Sequence, residues 1–193
     1  MTDFYEEVGR SGRLSFLVTE LEGRDLDGGL AVRGREITVV GREIRGTGGD
    51  RDMIAKTLGL GEAIPSLVKD PIDKAQLLRY AGGSGDYALV HTDVETARAA
   101  GLGDVIAHGM LSMGFLGQLV VRWAGAENIR RIQTRFAVIV RLGEVLTCRG
   151  VVRSVTPIED GRRSLVTLEI WAENQKGETV TYGEAEVYSD LER

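Results

Sequence analysis

One aspartate and the only two histidines of the chain fall close together and have side chains suited to moving protons. Asp86 and His91 lie five residues apart beside a glycine-rich run, and His108 follows. A carboxylate and an imidazole that hold one water can activate it as a base and then return a proton as an acid. We therefore expect Asp86 and His91 to form a water-handling pair, which requires the segment between them to fold back on itself.

A reaction that fits such a pair is the addition of water across a double bond conjugated to a thioester. It needs a base for the water, an acid for the alpha carbon, and hydrogen-bond donors for the enolate-like oxygen. The backbone N–H groups of His108, Gly109 and Met110 begin a predicted helix, so they are free to donate, and the helix dipole adds positive charge there. Gly109 also allows close approach to that backbone.

The helix that carries these amides is predicted to be buried. Residues 107–124 are apolar on nearly all sides, which is typical of a helix inside a core. Two short helices precede it, residues 74–81 capped by Asp73 and residues 94–100 capped by Asp93, with Gly82-Gly83 and Gly101 as their stops. The segment 83–92, which holds Asp86 and His91, is therefore predicted to be a loop between two helices.

Four segments after the long helix predict β-strands. They are residues 131–142, 145–155, 164–172 and 179–189, and the first alternates apolar and polar residues strictly. Short connectors with turn residues favour antiparallel neighbours. The expected fold class is α+β, with an antiparallel sheet wrapped round one long helix.

The N-terminal residues show an internal similarity to the C-terminal ones. Gly12-Arg13, Ser15, Glu20, Gly28 and Gly34 recur 149 positions later as Gly161-Arg162, Ser164, Glu169, Gly177 and Gly183. One interpretation is a duplication, with residues 1–45 as a hairpin remnant of a second domain, 46–58 as a linker and 59–193 as the main domain. The alternative is a chance likeness between two amphipathic hairpins.

Composition excludes several classes of function. A net charge of −5 without any block of Lys and Arg gives little attraction to nucleic acid or to an anionic membrane. The first ten residues are polar and acidic, unlike a signal peptide, and no apolar run is long enough to span a membrane, so a soluble cytoplasmic protein is expected. Cys148, the single cysteine, is expected to be a core residue.

Longer runs around the candidate residues resemble the hydratase motif of a known family. These runs are Tyr80-Ala81-Gly82-Gly83-Ser84-Gly85-Asp86, His91-Thr92-Asp93, Gly101-Leu102 and Ile106-Ala107-His108-Gly109-Met110-Leu111-Ser112-Met113-Gly114. Across about residues 59 to 190 the chain resembles the MaoC-like family of R-specific enoyl-thioester hydratases and dehydratases. Within that family it is similar to the smaller catalytic subunits of mycobacterial-type fatty-acid dehydratases.

The resemblance implies a hot-dog fold, in which the antiparallel sheet wraps round the central helix. It implies that Asp86 and His91 bind and activate water and that the Gly109 amide helps hold the thioester carbonyl. It also implies an acyl chain lying between sheet and helix, with the active site near a dimer interface. The N-terminal piece resembles the last hairpin of the upstream half in double hot-dog hydratases.

The chain departs from the family motif inside the loop. The family usually has Asn two residues after the aspartate and Pro next, where this chain has Ala88 and Leu89. Loss of the amide is expected to weaken the ordering of the site by about 1 to 3 kcal/mol if a buried partner is left unsatisfied. Slower turnover or a bulkier substrate is the expected consequence.

Other assignments of these residues are weaker. Asp86, His91, Asp93 and His108 lack helical metal-ligand spacing, and Asp93 already serves as a cap, so we expect no metal. His108 is expected to be a structural group at the helix start rather than a proton donor. Tyr87 and Ser84 are predicted to contact substrate, although packing is an equal alternative for Tyr87, and no G-x-S-x-G motif is present for acyl hydrolysis.

The sequence thus predicts reversible hydration of trans-2-enoyl thioesters and dehydration of (3R)-hydroxyacyl thioesters, carried by coenzyme A or acyl carrier protein. No cofactor is expected. A homodimer, or a heteromer with a related hot-dog subunit, is the expected assembly. Two alternatives stay open, a non-catalytic acyl-binding or scaffold subunit of a heteromer and a thioesterase on the same fold.

Overall fold

The computed structural model describes the backbone of residues 2–9, 12–24 and 30–41, together with residues 59–158 and 163–190. Three strands form an N-terminal antiparallel sheet: β1 (Thr2–Gly9), β2 (Gly12–Arg24) and β3 (Leu30–Gly41). Five more are β4 (Ala63–Val68), β5 (Ile129–Phe136), β6 (Thr147–Pro157), β7 (Arg163–Glu173) and β8 (Thr179–Asp190). They form an antiparallel sheet in the order β4-β6-β7-β8-β5.

Three helices connect β4 to β5. They are α1 (Lys74–Ser84), α2 (Val94–Ala99) and α3 (Gly109–Ala124), and short 3-10 turns cover Leu89–His91 and Ala126–Asn128. In the described part of the chain, no helix is both long enough and apolar enough to cross a lipid bilayer.

Helix α3 lies in the concave side of the five-stranded sheet and contacts all five of its strands. Its apolar side chains form one core with the inward residues of β6, β7 and β8, and Cys148 is fully buried in that core, as predicted. An antiparallel sheet wrapped round one long helix is the predicted α+β hot-dog fold, and the structure confirms this prediction.

The helix ends differ from the predicted ones in two places. Helix α1 continues through Gly82-Gly83 and ends at Gly85, whose φ of 74° supplies the left-handed C-cap, so the predicted stop at residue 81 is wrong. Helix α3 begins at Gly109 rather than residue 107, because His108 is extended at φ −60° and ψ 133°. The predicted N-caps Asp73 and Asp93 both accept a backbone N–H bond and are confirmed.

The strand that follows α3 also ends earlier than predicted. Its alternation continues to residue 142, but β5 ends at Phe136, and the amides of Ala137 and Val138 both donate to Val180 O. The chain then crosses to the segment before α3, where Ala107 N donates to Val140 O. The chain therefore leaves the sheet after Val138, and Val140 bonds the segment that precedes α3.

Two hairpins of the chain have the same register. Every partner pair of β2 and β3 becomes a partner pair of β7 and β8 when 149 is added to both numbers, as Ser15–Val40 becomes Ser164–Ser189. Both hairpins also have a register shift at the equivalent point, after Gly23 and after Ala172. The repeat residues Gly28, Gly161 and Arg162 and the predicted linker 46–58 lie outside the described residues.

Candidate active site

The loop after α1 is arranged round the side chain of Asp86. Ser84 Oγ donates to Tyr80 O at 2.7 Å and accepts from Asp86 N at 3.2 Å, which ties the loop to the last turn of the helix. Asp86 Oδ1 accepts from Ala88 N at 3.2 Å. An aspartate that bonds the amide two residues on makes an Asx-turn, so the loop folds back without the missing Asn and Pro.

His91 is oriented by a contact outside its own loop. Its Nδ1 lies 2.9 Å from Ile106 O, and because a carbonyl oxygen only accepts, Nδ1 carries the proton and donates. The lone pair of the neutral ring is therefore on Nε2, which is left available to accept a proton. This is the arrangement that a base or a water ligand requires.

His108 lies against both members of the pair. Its Nε2–H donates to Asp86 O at 3.1 Å, and its ring stacks on the His91 ring with centroids 3.9 Å apart and planes inclined by 27°. The Tyr80 ring packs on it at 4.9 Å. Burial, and then the neighbouring His91, lowers the pKa of His108, while the pKa of the Tyr80 phenol is raised by burial and by the Asp86 carboxylate.

The structure thus brings together the residues that the sequence analysis singled out. One polar side-chain atom from each of Asp86, His91 and His108 lies within 4.8 Å of the others. The rings of His91 and His108 are nearly parallel, and the lone pair of an imidazole lies in the plane of its ring. The two lone pairs therefore do not point at one small ion. Asp93 is not in this cluster, and its hydrogen bonds with Thr96, which lower its pKa, belong to its role as a helix cap.

A cavity of about 210 Å³ opens beside His91 at the start of α3. Its lining is mostly apolar and consists of His91, Ile106, Ala107, Gly109, Ser112, Phe136, Ala137, Val138, Ile139, Val140 and Thr181. Of the predicted site residues, His91 and Gly109 line this cavity, whereas Ser84, Asp86, Tyr87, His108 and Met110 do not. The substrate contacts predicted for Ser84, Tyr87, His108 and Met110 therefore stay predictions.

The start of α3 has unpaired backbone donors, one of them on a residue that lines this cavity. The amides of His108, Gly109 and Met110 have no hydrogen-bond partner among the described residues. Gly109 lines the cavity, and a Cβ there would lie 3.2 Å from the ring of Phe136. Glycine therefore leaves open a part of the cavity wall that a side chain would crowd.

Sequence reasoning missed a buried pair of hydroxyl groups on the cavity wall. Ser112 Oγ donates to Gly109 O at 2.7 Å and lies 2.6 Å from Thr181 Oγ1 on β8. The pair links the first turn of α3 to the sheet. A polar residue among the apolar ones in the first turns of α3 was the only sequence signal, and it did not identify a partner 69 positions away.

Comparison with known proteins places the chain in a family. The model of the family described as "MaoC like domain" matches residues 57–174, which is more than half of the chain. The chain belongs to this family. No match was found among curated proteins.

Solved structures of MaoC-like proteins are similar to the chain. The unliganded R-hydratase PhaJ1 from Pseudomonas aeruginosa is 28% identical with a TM-score of 0.60, covering 70% of this chain and 84% of its own. The ChsH1-ChsH2 complex from Mycobacterium tuberculosis includes a chain that is 25% identical with a TM-score of 0.58. The similarity covers 68% of this chain and 98% of that one. A MaoC-like dehydratase, 20% identical with a TM-score of 0.62, covers 97% of this chain and 67% of its own.

Proposed function

We propose that the protein catalyses reversible hydration of trans-2-enoyl thioesters and dehydration of (3R)-hydroxyacyl thioesters. The observation that carries this proposal is the approach of Asp86 and His91 beside a cavity lined by His91 and by Gly109, whose amide has no hydrogen-bond partner among the described residues. Membership in the MaoC-like family and the likeness to an R-hydratase support the same class of reaction.

In the proposed reaction one water supplies both the hydroxyl group and the added proton. Asp86 and His91 hold the water, and the Asp86 carboxylate removes one of its protons as the oxygen attacks C3 of the enoyl group. The electron pair of the double bond moves towards the thioester oxygen, where the amide of Gly109 stabilises the negative charge. The removed proton is then returned to C2. No electrons enter or leave, so the reaction needs no redox cofactor.

The geometry of the cavity indicates how the substrate lies. Its volume of about 210 Å³ is below the roughly 300–1,000 Å³ of a pocket that encloses a drug-sized ligand, so it fits the reacting end of a long thioester. Phe136, Val138 and Ile139 on its wall are each more than 40% exposed. We expect the acyl chain to continue along this apolar wall, with coenzyme A or an acyl carrier protein outside.

We also propose that residues 1–45 are the remnant of a second hot-dog domain. The identical registers of the hairpins β2–β3 and β7–β8 support it, and so does the fit of nearly the whole chain within one longer MaoC-like dehydratase. A homodimer or a heteromer with a related subunit is the proposed assembly. Light scattering on the purified protein, alone and after co-expression with related hot-dog chains, distinguishes the two.

The direct test is an activity panel with enoyl thioesters of short, long and ring-bearing acyl groups. Hydration removes the conjugated double bond, so the absorbance of an active sample falls as the (3R)-hydroxyacyl product forms. Unchanged absorbance with every substrate, both for the chain alone and with a partner subunit, would refute the proposed activity. Release of free thiol, detected with a thiol-reactive dye, would instead identify a thioesterase.

A further inference from the structure

Among the described residues, the side chain of His108 forms the one hydrogen bond that links the Asp86 backbone to the start of α3. The ring is 1% exposed, and His108 is the N-cap residue of α3 without forming a side-chain cap bond. Its Nε2–H reaches across 22 positions of sequence to Asp86 O. The face of the same ring covers His91. A single buried imidazole therefore contacts both members of the water-handling pair.

The remaining contacts of Asp86 are local. Among the residues that the structure describes, its amide and carboxylate bond only to Ser84 and Ala88, which belong to the same stretch of chain. The His91 end of the loop is held near α3 by the bonds from Ile106 N to Val90 O and from His91 Nδ1 to Ile106 O. The bond from His108 to Asp86 O is the one that holds the Asp86 end beside the start of α3.

We propose that His108 is a positioning residue that holds the loop carrying Asp86 and His91 in register with the oxyanion-binding amides of α3. This inference rests on the proposed hydratase function. It assigns no proton transfer to His108, whose side chain does not line the cavity. The Gly109 amide and the water-handling pair must act on one substrate at once, and a displacement of about 1 Å between such groups can cost about a hundredfold in rate.

The protonation state of His108 suits this role. The groups that face its ring are His91, Asp86 and Tyr80. Burial holds the pKa of His108 below its ordinary value, so the ring is neutral at pH 7 and its proton lies on Nε2, which faces the carbonyl. Nδ1 is buried and has no partner among the described residues, which leaves the bond to Asp86 O as the only hydrogen bond of the side chain.

Two substitutions separate the hydrogen bond from the ring. His108→Phe keeps a ring that stacks on His91 but has no donor, whereas His108→Gln loses the ring and keeps an N–H donor at the reach of Nε2. We expect the Phe variant to lose about 10- to 100-fold in kcat with KM within about threefold, and the Gln variant to regain most of kcat. Thermal melts of both variants report whether they fold.

Amide hydrogen exchange of residues 85–92, measured by mass spectrometry, provides a readout that does not depend on turnover. We expect faster exchange in the Phe variant and near-normal exchange in the Gln variant. Equal losses of kcat in both variants, or unchanged exchange in the Phe variant, overturn the positioning role. If the unaltered protein turns over no enoyl thioester, the proposed function fails, and the role of His108 in catalysis fails with it. The exchange comparison then still shows whether the bond from His108 holds the loop.

Discussion

The candidate site has two halves that are built in different ways. The loop from Gly85 to Thr92 is largely exposed, with Tyr87 at 65% and Leu89 at 58%, and it is held mainly by bonds to nearby residues. The first turn of α3 begins at the exposed Gly109 but is held by buried residues, with His108 at 1% and Ser112 at 2% exposed, and Ser112 bonds Thr181 on a distant strand. We call these two parts the exposed half and the buried half. The groups proposed to transfer protons are on the exposed half, and the proposed oxyanion donors are on the buried half.

The difference indicates a division of roles within one site. Exposed segments with few long-range bonds open at low free-energy cost, which suits the exchange of water and substrate. Buried turns bonded across the fold keep their geometry, which suits donors that must be preorganised for a developing charge. Substitutions in the loop should therefore change turnover while leaving stability intact, and those at the start of α3 should change both.

The largest expected effect is that of Asp86→Asn. The asparagine oxygen can still accept from Ala88 N, so the loop keeps its turn, but the base is lost. We expect kcat to fall by about 10²- to 10⁴-fold, with stability changed by less than about 0.5 kcal/mol. Enzyme kinetics and urea unfolding measure the two quantities.

Asp93→Asn is the matched control for that substitution. Asp93 caps α2 outside the cluster, and asparagine caps helices as well as aspartate does, so activity and stability should both be retained. Normal turnover in the Asp86 variant would assign the base to another residue and would end the division between the two halves.

Gly109→Ala tests the buried half. The new Cβ would lie 3.2 Å from the Phe136 ring and would crowd the cavity wall beside the Gly109 amide. Removal of one oxyanion donor costs about 10²- to 10³-fold, and because the ring is half exposed and can shift, we expect a partial loss of about tenfold in kcat/KM.

Gly114→Ala in the same helix is the control for this substitution. It adds a methyl group at an exposed position where a Cβ meets no atom within 4 Å, and it should stabilise the protein by about 0.5–1 kcal/mol without changing kcat. Equal kinetics in the two alanine variants would show that the Gly109 amide takes no part in the reaction.

Ser112→Ala should affect stability more than turnover. It removes the hydroxyl that bonds Gly109 O and leaves Thr181 Oγ1 buried without its partner, which costs about 1–3 kcal/mol. We expect the free energy of unfolding to fall by this amount and kcat by only a few fold. Ser66→Ala on the exposed part of β4 should change neither, and a loss in Ser112→Ala no larger than in that control would contradict the role of the buried pair.

The exposed half of the site was more predictable from the sequence than the buried half. Asp86 and His91 are near neighbours in a glycine-rich run, and the caps Asp73 and Asp93 define the helices on either side, so local rules were sufficient. The strands β7 and β8 were also predicted to within one residue at each end, because each alternates inward and outward side chains over its whole length.

Long-range contacts account for what the sequence did not show. The stack of His91 on His108 and the bond from Ser112 to Thr181 exist only after the sheet closes on α3. Strand β4 was missed because its six residues include Pro65 and show no alternation. The predicted strand at 131–142 was too long, since periodicity does not reveal that the chain leaves β8 after Val138 and that Val140 bonds the segment before α3.

The smallest expected effect is a pH dependence of stability that arises in the buried half. Burial lowers the pKa of His108, so between its folded value and the ordinary value of about 6.5 the unfolded chain binds a proton that the folded protein does not. Stability from this residue is therefore complete above about pH 6.5 and is lost as the pH falls towards the folded pKa. Urea unfolding at several pH values between 5 and 8 measures it.

The His108→Phe variant isolates this contribution because it keeps the other titratable groups. As the pH falls below about 6.5, the free energy of unfolding of the unaltered protein should decline relative to that of the variant. Above about pH 6.5 the difference between the two free energies should be constant. A constant difference throughout would mean that His108 takes up its proton as easily in the folded protein as in the unfolded chain. Water would then reach the His108 ring, and the buried half of the site would be no better shielded from solvent than the loop.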